Sequence, residues 1–290
     1  MNLQTKKIRE LLNANKVILV GGAHNGLSAK IVEEAGYDAI WASGLEIASS
    51  HCVADANILT MSDVLYACKQ MTSVVDIPVI VDCDNGFGNA INAMRTVEEF
   101  EKIGVAGVCI EDNIFPKRNS FYSNVKRSLE SIDEFSGKIR AAVSARKNPD
   151  FLIIARCEAI IAGLGVDEAL RRAKTYVAAG ADMIVPHSKK EDASEVEEFI
   201  SKWDGSVPLI SIPTKYKNTS VSDLENMGYK MVIFANFAIR SAIKAMSETL
   251  KKAKEAGCAA AVDNEMCPLS DIQRLVGFDK LKKAEEDFLR

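Results

Sequence analysis

The sequence predicts an α/β chain closed as a (β/α)₈ barrel of the TIM type, with extra helices after the last strand. Two observations carry this. Short apolar runs alternate eight times with helix-patterned stretches along the 290 residues. An internal repeat then sorts the strands into two classes. EAGYDAIW (34–41), KIGVAGVCI (102–110), AAGADMIV (178–185) and NMGYKMVIF (226–234) each place a helix-ending glycine, a short spacer and an apolar strand in that order. These segments enter strands two, four, six and eight. Strands three, five and seven instead follow Pro or Asp, in IPVIV, PDFLIIA and VPLIS. Alternate strands build alternate interior layers in such a barrel, so a two-class sequence suits it. An open doubly wound sheet is the alternative.

The elements follow in order. The N-terminal MNLQTKKIRELLNANK has the pattern of an amphipathic helix rather than of a secretory signal. Residues 16–21 make a first strand, 25–34 a helix stopped by Gly36, and 39–43 a second strand. A loop over 44–59 leads to a helix capped by Thr60 or Ser62 and running to 71. The third strand, 79–81, is an apolar run of the kind buried on both faces. A helix over 90–103 and a strand over 108–110 come next. Ser131 and Glu134, in capping-box spacing, open a helix over 131–146. Strands at 151–155, 183–185, 209–212 and 231–234 alternate with helices at 167–179, 193–203, 221–227 and 238–256. The tail, 267–290, holds two helical stretches expected to pack on the barrel or on a neighbouring subunit. No Gly-, Pro- or Ser-rich linker interrupts the chain, so 1–290 reads as one domain.

Composition narrows the function. A net charge of -4 gives no general attraction for nucleic acid or an anionic membrane surface, so neither is expected as a partner. No apolar run approaches the roughly 18 residues of a membrane helix. The seven cysteines are odd in number and form no CxxC pair, which points to reduced thiols, a cytoplasmic protein and no zinc site.

In a barrel of this kind the active site lies at the C-terminal ends of the strands. Those ends read Ser43-Gly44-Leu45, Asp82 and Asp84, Glu111 and Asp112, Arg156 and Glu158, and His187. The stretch IPVIVDCDNGFGN (77–89) is the centre of this rim. Desolvated carboxylates need a cation or several donors, and hard divalent cations such as Mg²⁺ take oxygen ligands of this type. The competing reading of Asp82 and Asp84 is a polar loop in which both cap backbone amides. Arg156 is a fork suited to a carboxylate or phosphate; alternatively it pairs with Glu111 or Glu158 in an ion-pair network.

Several segments, in order, resemble the phosphoenolpyruvate mutase/isocitrate lyase superfamily and are closest to its phosphonomutases. They are AHNGLSAKIVEEAGYDAIWASGLE (23–46), ADANILTMSD (54–63), VDCDNGFGN (81–89), CIEDNIFPKRNSF (109–121), IIARCEAIIAGLG (153–165) and PHSKK (186–190). The resemblance implies a modified barrel whose terminal helix swaps between subunits of a homodimer or homotetramer. It implies interconversion of phosphoenolpyruvate and phosphonopyruvate, with Mg²⁺ held most directly by Asp82 and through water by Asp55, Asp84 and Glu111. The amides of Gly44 and Leu45 would form an oxyanion site, Trp41 would pack on the planar substrate, and Ser43, Arg156 and His187 would hold its anionic ends. The loop 113–129 would act as a gate, with Lys117, Arg118, Asn119 and Ser120 as anion contacts; without the resemblance these read as a solvated basic loop. Phosphonopyruvate hydrolases resemble this chain too but tend to carry Thr where Asn119 stands. The related lyases carry a cysteine in this loop, and this loop has none. Gly22, Asn85, Asn113 and the segment after Phe121 depart from the usual mutase pattern. The alternatives to a mutase are a hydrolase, a 2-oxo acid lyase, or a non-catalytic binding protein, the last of which predicts a rim that has lost its acids.

Overall fold

The computed structural model describes residues 3–120 and 127–289. In chain order, α1 (Leu3–Asn13) precedes β1 (Ile18–Ala23), α2 (Gly26–Glu34), β2 (Ala39–Ala42), α3 (Gly44–Ser50), α4 (Met61–Thr72) and β3 (Val79–Asp82). Then come α5 (Ala90–Lys102), β4 (Gly107–Glu111), α6 (Ile132–Ala145), β5 (Leu152–Cys157), α7 (Gly165–Ala178) and β6 (Met183–Pro186). The series closes with α8 (Ser194–Ser201), β7 (Ile210–Ser211), α9 (Val221–Met227), β8 (Met231–Phe234), α10 (Phe237–Ala256), α11 (Leu269–Leu275) and α12 (Phe278–Phe288).

All ladders are parallel, in the order β6-β5-β4-β3-β2-β1-β8-β7. The sheet closes between β6 and β7 through an isolated bridge, Ile184 to Leu209, in which the Ile184 amide donates to the Pro208 carbonyl at 3.2 Å. This is the expected eight-stranded barrel, with one weak seam.

The strand alternation sorts the core. Ile18, Val20, Trp41, Ile80, Cys109, Leu152, Ile154, Met183, Val185, Ile210, Met231 and Ile233 form one cluster inside the barrel. Their neighbours on the other strand face, such as Ile40, Val79, Val81, Val108, Ile153 and Val232, pack outward against the helices. Successive side chains on a strand point to opposite faces, so both sets must be apolar when both faces are covered. The four repeated glycines behave alike: Gly36, Gly104, Gly180 and Gly228 have φ of +83°, +87°, +105° and +107°. Only glycine takes this left-handed turn without strain, and each delivers the chain from a helix into an even strand.

Helix α1 closes the N-terminal end of the barrel. Ile8 is fully buried in the interior cluster. Gln4 accepts from the Val79 amide at 3.1 Å, and Arg9 bonds Asp182 at 2.8 Å and the carbonyls of Pro149 and Asp150 at 3.1 Å.

Two details differ from expectation. The stretch 44–59 is not all loop: residues 44–50 form α3, because Ser43 is an N-cap whose hydroxyl accepts from the Glu46 amide. Strand β7 is two residues long rather than four. Thr60, not Ser62, is the cap of α4, in a capping box with Asp63.

By internal contacts the chain divides into two compact units, Met1–Phe237 and Ala238–Arg290. The second is helical and poor in core: α11 and α12 bury none of their described residues. Leu269, Val276 and Phe288 are 76%, 71% and 81% exposed. Among the described residues, no helix is long and apolar enough to cross a membrane.

Candidate active site

The same alternation that fills the barrel builds its rim. Two residues beyond an inward apolar side chain, the next inward position is polar on five strands. Ser43 follows Trp41, Asp82 follows Ile80, Glu111 follows Cys109, Arg156 follows Ile154 and His187 follows Val185. These positions line a cleft together with Trp41, Leu45, Asp55, Lys117, Asn119 and Ser120. Gly44 and Asp84 stand behind its wall. A Cβ on Gly44 would lie 3.1 Å from Asp84 Oδ1 and 3.4 Å from Asp82 Oδ2, so glycine lets the α3 backbone come close to both carboxylates.

Two ion-paired groups organise the cleft. In the first, the Lys117 ammonium is buried against Asp55 at 2.7 Å and in close contact with Asp84. Asn57 donates to Asp84 at 2.9 Å and accepts from the Lys117 amide at 2.5 Å. Asn119 Nδ2 donates to Asp55 at 2.7 Å. In the second, Arg156 Nε lies 2.6 Å from Glu158 and 3.4 Å from Glu111, while its Nη2 donates to Ser120 Oγ at 3.1 Å. His187 Nδ1 is within reach of both Glu158 (2.6 Å) and Arg156 Nη2 (2.8 Å). The ion-pair network of Arg156 with Glu111 and Glu158 is therefore present, and it stands in the wall of the cleft.

The loop residues Lys117, Asn119 and Ser120 are buried in the cleft, not solvated. Residues 121–126 of the loop lie outside the described residues, and with them part of the segment after Phe121.

Burial governs the protonation of these groups. It pushes the Glu111 carboxyl up to about 8, against the pull of Arg156 and Lys117. It raises Asp84 to about 6, with Asp82 and Asp55 adding repulsion and Lys117 opposing. Lys117 is held well above the usual lysine value: burial works against its charge, but the surrounding carboxylates, Asp84 and Asp55 first, outweigh it. Glu158 also pays for burial, yet Arg156 and His187 hold it well below the usual carboxylate range. His187 is lowered by burial and by Arg156, against the pull of Glu158.

A match decides the family. The model of the family described as phosphoenolpyruvate phosphomutase matches residues 8–254. The chain belongs to the phosphoenolpyruvate phosphomutase family. It is therefore an enzyme of a phosphomutase family, as its resemblance implies. A phosphoenolpyruvate phosphomutase of Tetrahymena pyriformis is 39% identical over 99% of this chain and 95% of that protein. The crystal structure of a phosphoenolpyruvate phosphomutase from Streptomyces platensis subsp. rosaceus superposes with a TM-score of 0.97 and 42% identity, covering 99% of both chains. A phosphonopyruvate hydrolase in complex with oxalate and Mg⁺⁺ superposes with a TM-score of 0.93 and 38% identity, again over 99% of both chains.

Within the phosphomutase family frame, the donor set can be tested for a metal. Asp55, Asp82, Asp84, Glu111 and Glu158 are five buried carboxylates, and Lys117 and Arg156 are the cations paired with them. Five carboxylates against two paired cations leave an excess of acidic groups, and these all-oxygen donors fit a hard divalent cation. Among the described residues, no three His, Cys, Asp or Glu side chains are gathered into a ready ligand cage.

The structure also explains three departures from the mutase pattern. Asn113 Nδ2 donates to Glu111 at 3.0 Å, so an amide stands beside this acid. Asn85 reaches Asn57 at 3.3 Å. Gly22 leaves room for Glu46: a Cβ there would lie 2.1 Å from Glu46 Oε1. That buried carboxylate accepts from the Asn236 amide at 2.8 Å and lies 3.3 Å from His24.

Sequence reasoning missed Asn57, which sits in an unpatterned loop, and the wall from Ile212, Thr214, Ala235 and Asn236 at the ends of β7 and β8. Continuing the inward alternation from Ile210 to Ile212 and from Ile233 to Ala235 finds half of that wall.

Proposed function

We propose that this chain is a phosphoenolpyruvate phosphonomutase, interconverting phosphoenolpyruvate and 3-phosphonopyruvate with Mg²⁺. The observation that carries the reading is the Asn119 amide, turned inward onto Asp55 beside the buried Lys117. In the reaction the bond from phosphorus to the enol oxygen breaks and a bond from phosphorus to C3 forms. No proton is gained or lost and no water is consumed. The site must therefore hold two anionic ends, stabilise an enolate and keep water out.

Arg156, fixed by Glu158 and Glu111, presents its guanidinium to the substrate carboxylate, with Ser43 and His187 at its sides. The amides of Gly44 and Leu45, in the first turn of α3, would serve the enolate oxygen. Trp41, the last inward apolar residue of β2, packs on the planar part. Lys117, Asn119 and Ser120 close over the phosphoryl group, with Asp55 bonded to the first two. Asp82 would hold Mg²⁺ most directly and Asp55, Asp84 and Glu111 through its waters; when bound, the ion supplies Lewis-acid stabilisation of the enolate oxygen. The hydrolase relative that binds oxalate and Mg⁺⁺ supports this, since oxalate has the planar dianionic shape of pyruvate enolate.

We further propose a homodimer or homotetramer in the cytoplasm, built by exchange of the C-terminal helices. The support is the second unit itself: helices that bury so little of their own surface need a partner to cover Leu269, Val276 and Phe288. The seven free thiols suit a reducing compartment. Forming a P–C bond makes the enzyme an entry step to phosphonates.

The test follows phosphonopyruvate by phosphorus NMR with purified protein and Mg²⁺. Phosphoenolpyruvate appears and a chelator abolishes it. Inorganic phosphate with pyruvate would make the chain a hydrolase, and no change would leave the 2-oxo acid lyases.

A further inference from the structure

We propose that Arg127 is a positioning residue that straps residues 118–120 in place over the cleft. The loop leaves β4 and returns to α6, and its two arms are zipped at the base. Asn113 and Leu129 form an antiparallel bridge, the Ile114 amide donates to Ser128 at 3.4 Å, and Glu130 donates to Asp112 at 2.9 Å. Residues 115–120, which carry the substrate contacts, lie beyond that ladder. Arg127 reaches back across to them. Its Nη1 donates to the Arg118 carbonyl at 2.8 Å, and its Nη2 is in close contact with the Asn119 carbonyl. The residue is 9% exposed.

A planar fork meeting two successive carbonyls fixes the orientation of both peptide planes. Those planes aim Asn119 at Asp55 and Ser120 at Glu158, at 2.7 and 2.8 Å. Arg127 thus acts on the reaction through its neighbours; it is not among the residues lining the cleft. Lysine, with one point charge, does not reproduce the two-pronged contact.

The consequence, which rests on the mutase reading, is protection from water. If water reaches the phosphoryl group of phosphonopyruvate, the P–C bond breaks and the water oxygen forms the new P–O bond. One water proton goes to C3, giving pyruvate, and phosphate leaves. A loosened strap therefore slows transfer and diverts turnover to hydrolysis.

Arg127→Met and Arg127→Lys are compared with wild type in two assays. In the first, trypsin cleavage after Lys117 and Arg118 is timed by mass spectrometry without substrate. In the second, phosphoenolpyruvate and phosphate formed from phosphonopyruvate and Mg²⁺ are followed by phosphorus NMR. The Met variant is cut faster, loses roughly 10- to 100-fold in kcat with a smaller change in KM, and releases a larger share of phosphate. The Lys variant moves the same way by less. Wild-type cleavage and wild-type product ratio in the Lys variant, or in a folded Met variant, would overturn the proposal. Faster cleavage alongside a wild-type protein that never forms phosphoenolpyruvate would uphold the strap and remove the mutase reading instead.

Discussion

The two ends of the barrel are made by the same strands and have opposite chemistry. At the N-terminal end Ile8, Ile18, Ala39, Leu152 and Met231 are fully buried and apolar, with Arg9 and Asp182 paired at the margin. At the other end Asp82, Asp84, Glu111 and His187 are almost as deeply buried, and they are titratable. The first end gains free energy from excluding water. The second loses it, since burial drives Glu111 and Asp84 toward their neutral forms. One end stabilises the fold; on the Mg²⁺ reading proposed above, the other stores acids whose charge a bound cation would draw out.

Damaging one end at a time sharpens this contrast. Asp82→Ala lowers turnover of phosphonopyruvate by roughly 10³-fold, the scale of losing one organised electrostatic contact at a reacting oxygen. Its thermal midpoint by calorimetry stays level or rises, because one buried like charge has gone. A collapse in midpoint would show that the rim holds the barrel together. Ile8→Ala does the reverse. It removes about 2–5 kcal/mol of stability in urea titration, through lost transfer energy and the cavity left under the strands. Its kcat, measured where the variant is folded, stays unchanged; a kcat that fell with it would join the two ends.

The smallest effect is the pH dependence. The folded pKa of Glu111 lies above its unfolded value, so the folded protein binds that proton more tightly. The associated stability is fully present below the unfolded carboxylate pKa and is lost as pH rises toward about 8. Asp84 acts in the same direction up to about 6. The melting temperature of metal-free protein therefore falls between pH 5 and pH 8. Saturating Mg²⁺ reverses the slope, because it binds the ionised form and releases protons. A metal-independent slope would break the charge-storage reading.

Much of this was legible because barrel strands obey a period of two. Once the apolar runs around Ile80, Cys109, Ile154 and Val185 read as barrel strands, Asp82, Glu111, Arg156 and His187 stood at their C-terminal ends, where such a barrel carries its site; the structure adds that each is the next inward position. The four helix-ending glycines marked the even strands, and all four adopt the left-handed turn that their spacing implied. What escaped was set by tertiary contact. Residues 44–50 carry no strong helical period, and only the Ser43 cap makes them a helix. Asn57 reaches Asp84 across 27 residues of sequence and Arg127 meets Asn119 from the far arm of a loop; neither pairing leaves a local trace. Asn113 departs from the family pattern, and only its bond to Glu111 explains how the site absorbs it.

The seam between β6 and β7 gives the cleft a preferred direction of adaptation. Elsewhere each strand is tied to its neighbours by ladders, so the spacing between their ends is fixed. Here a single bridge, Ile184 to Leu209, leaves His187 on one bank and Ile212 with Thr214 on the other. Substitutions that spread these banks encounter little backbone resistance, whereas spreading β3 from β4 would tear the acids apart. A wider cleft is thus most easily opened at this hem, while the rim acids stay in register.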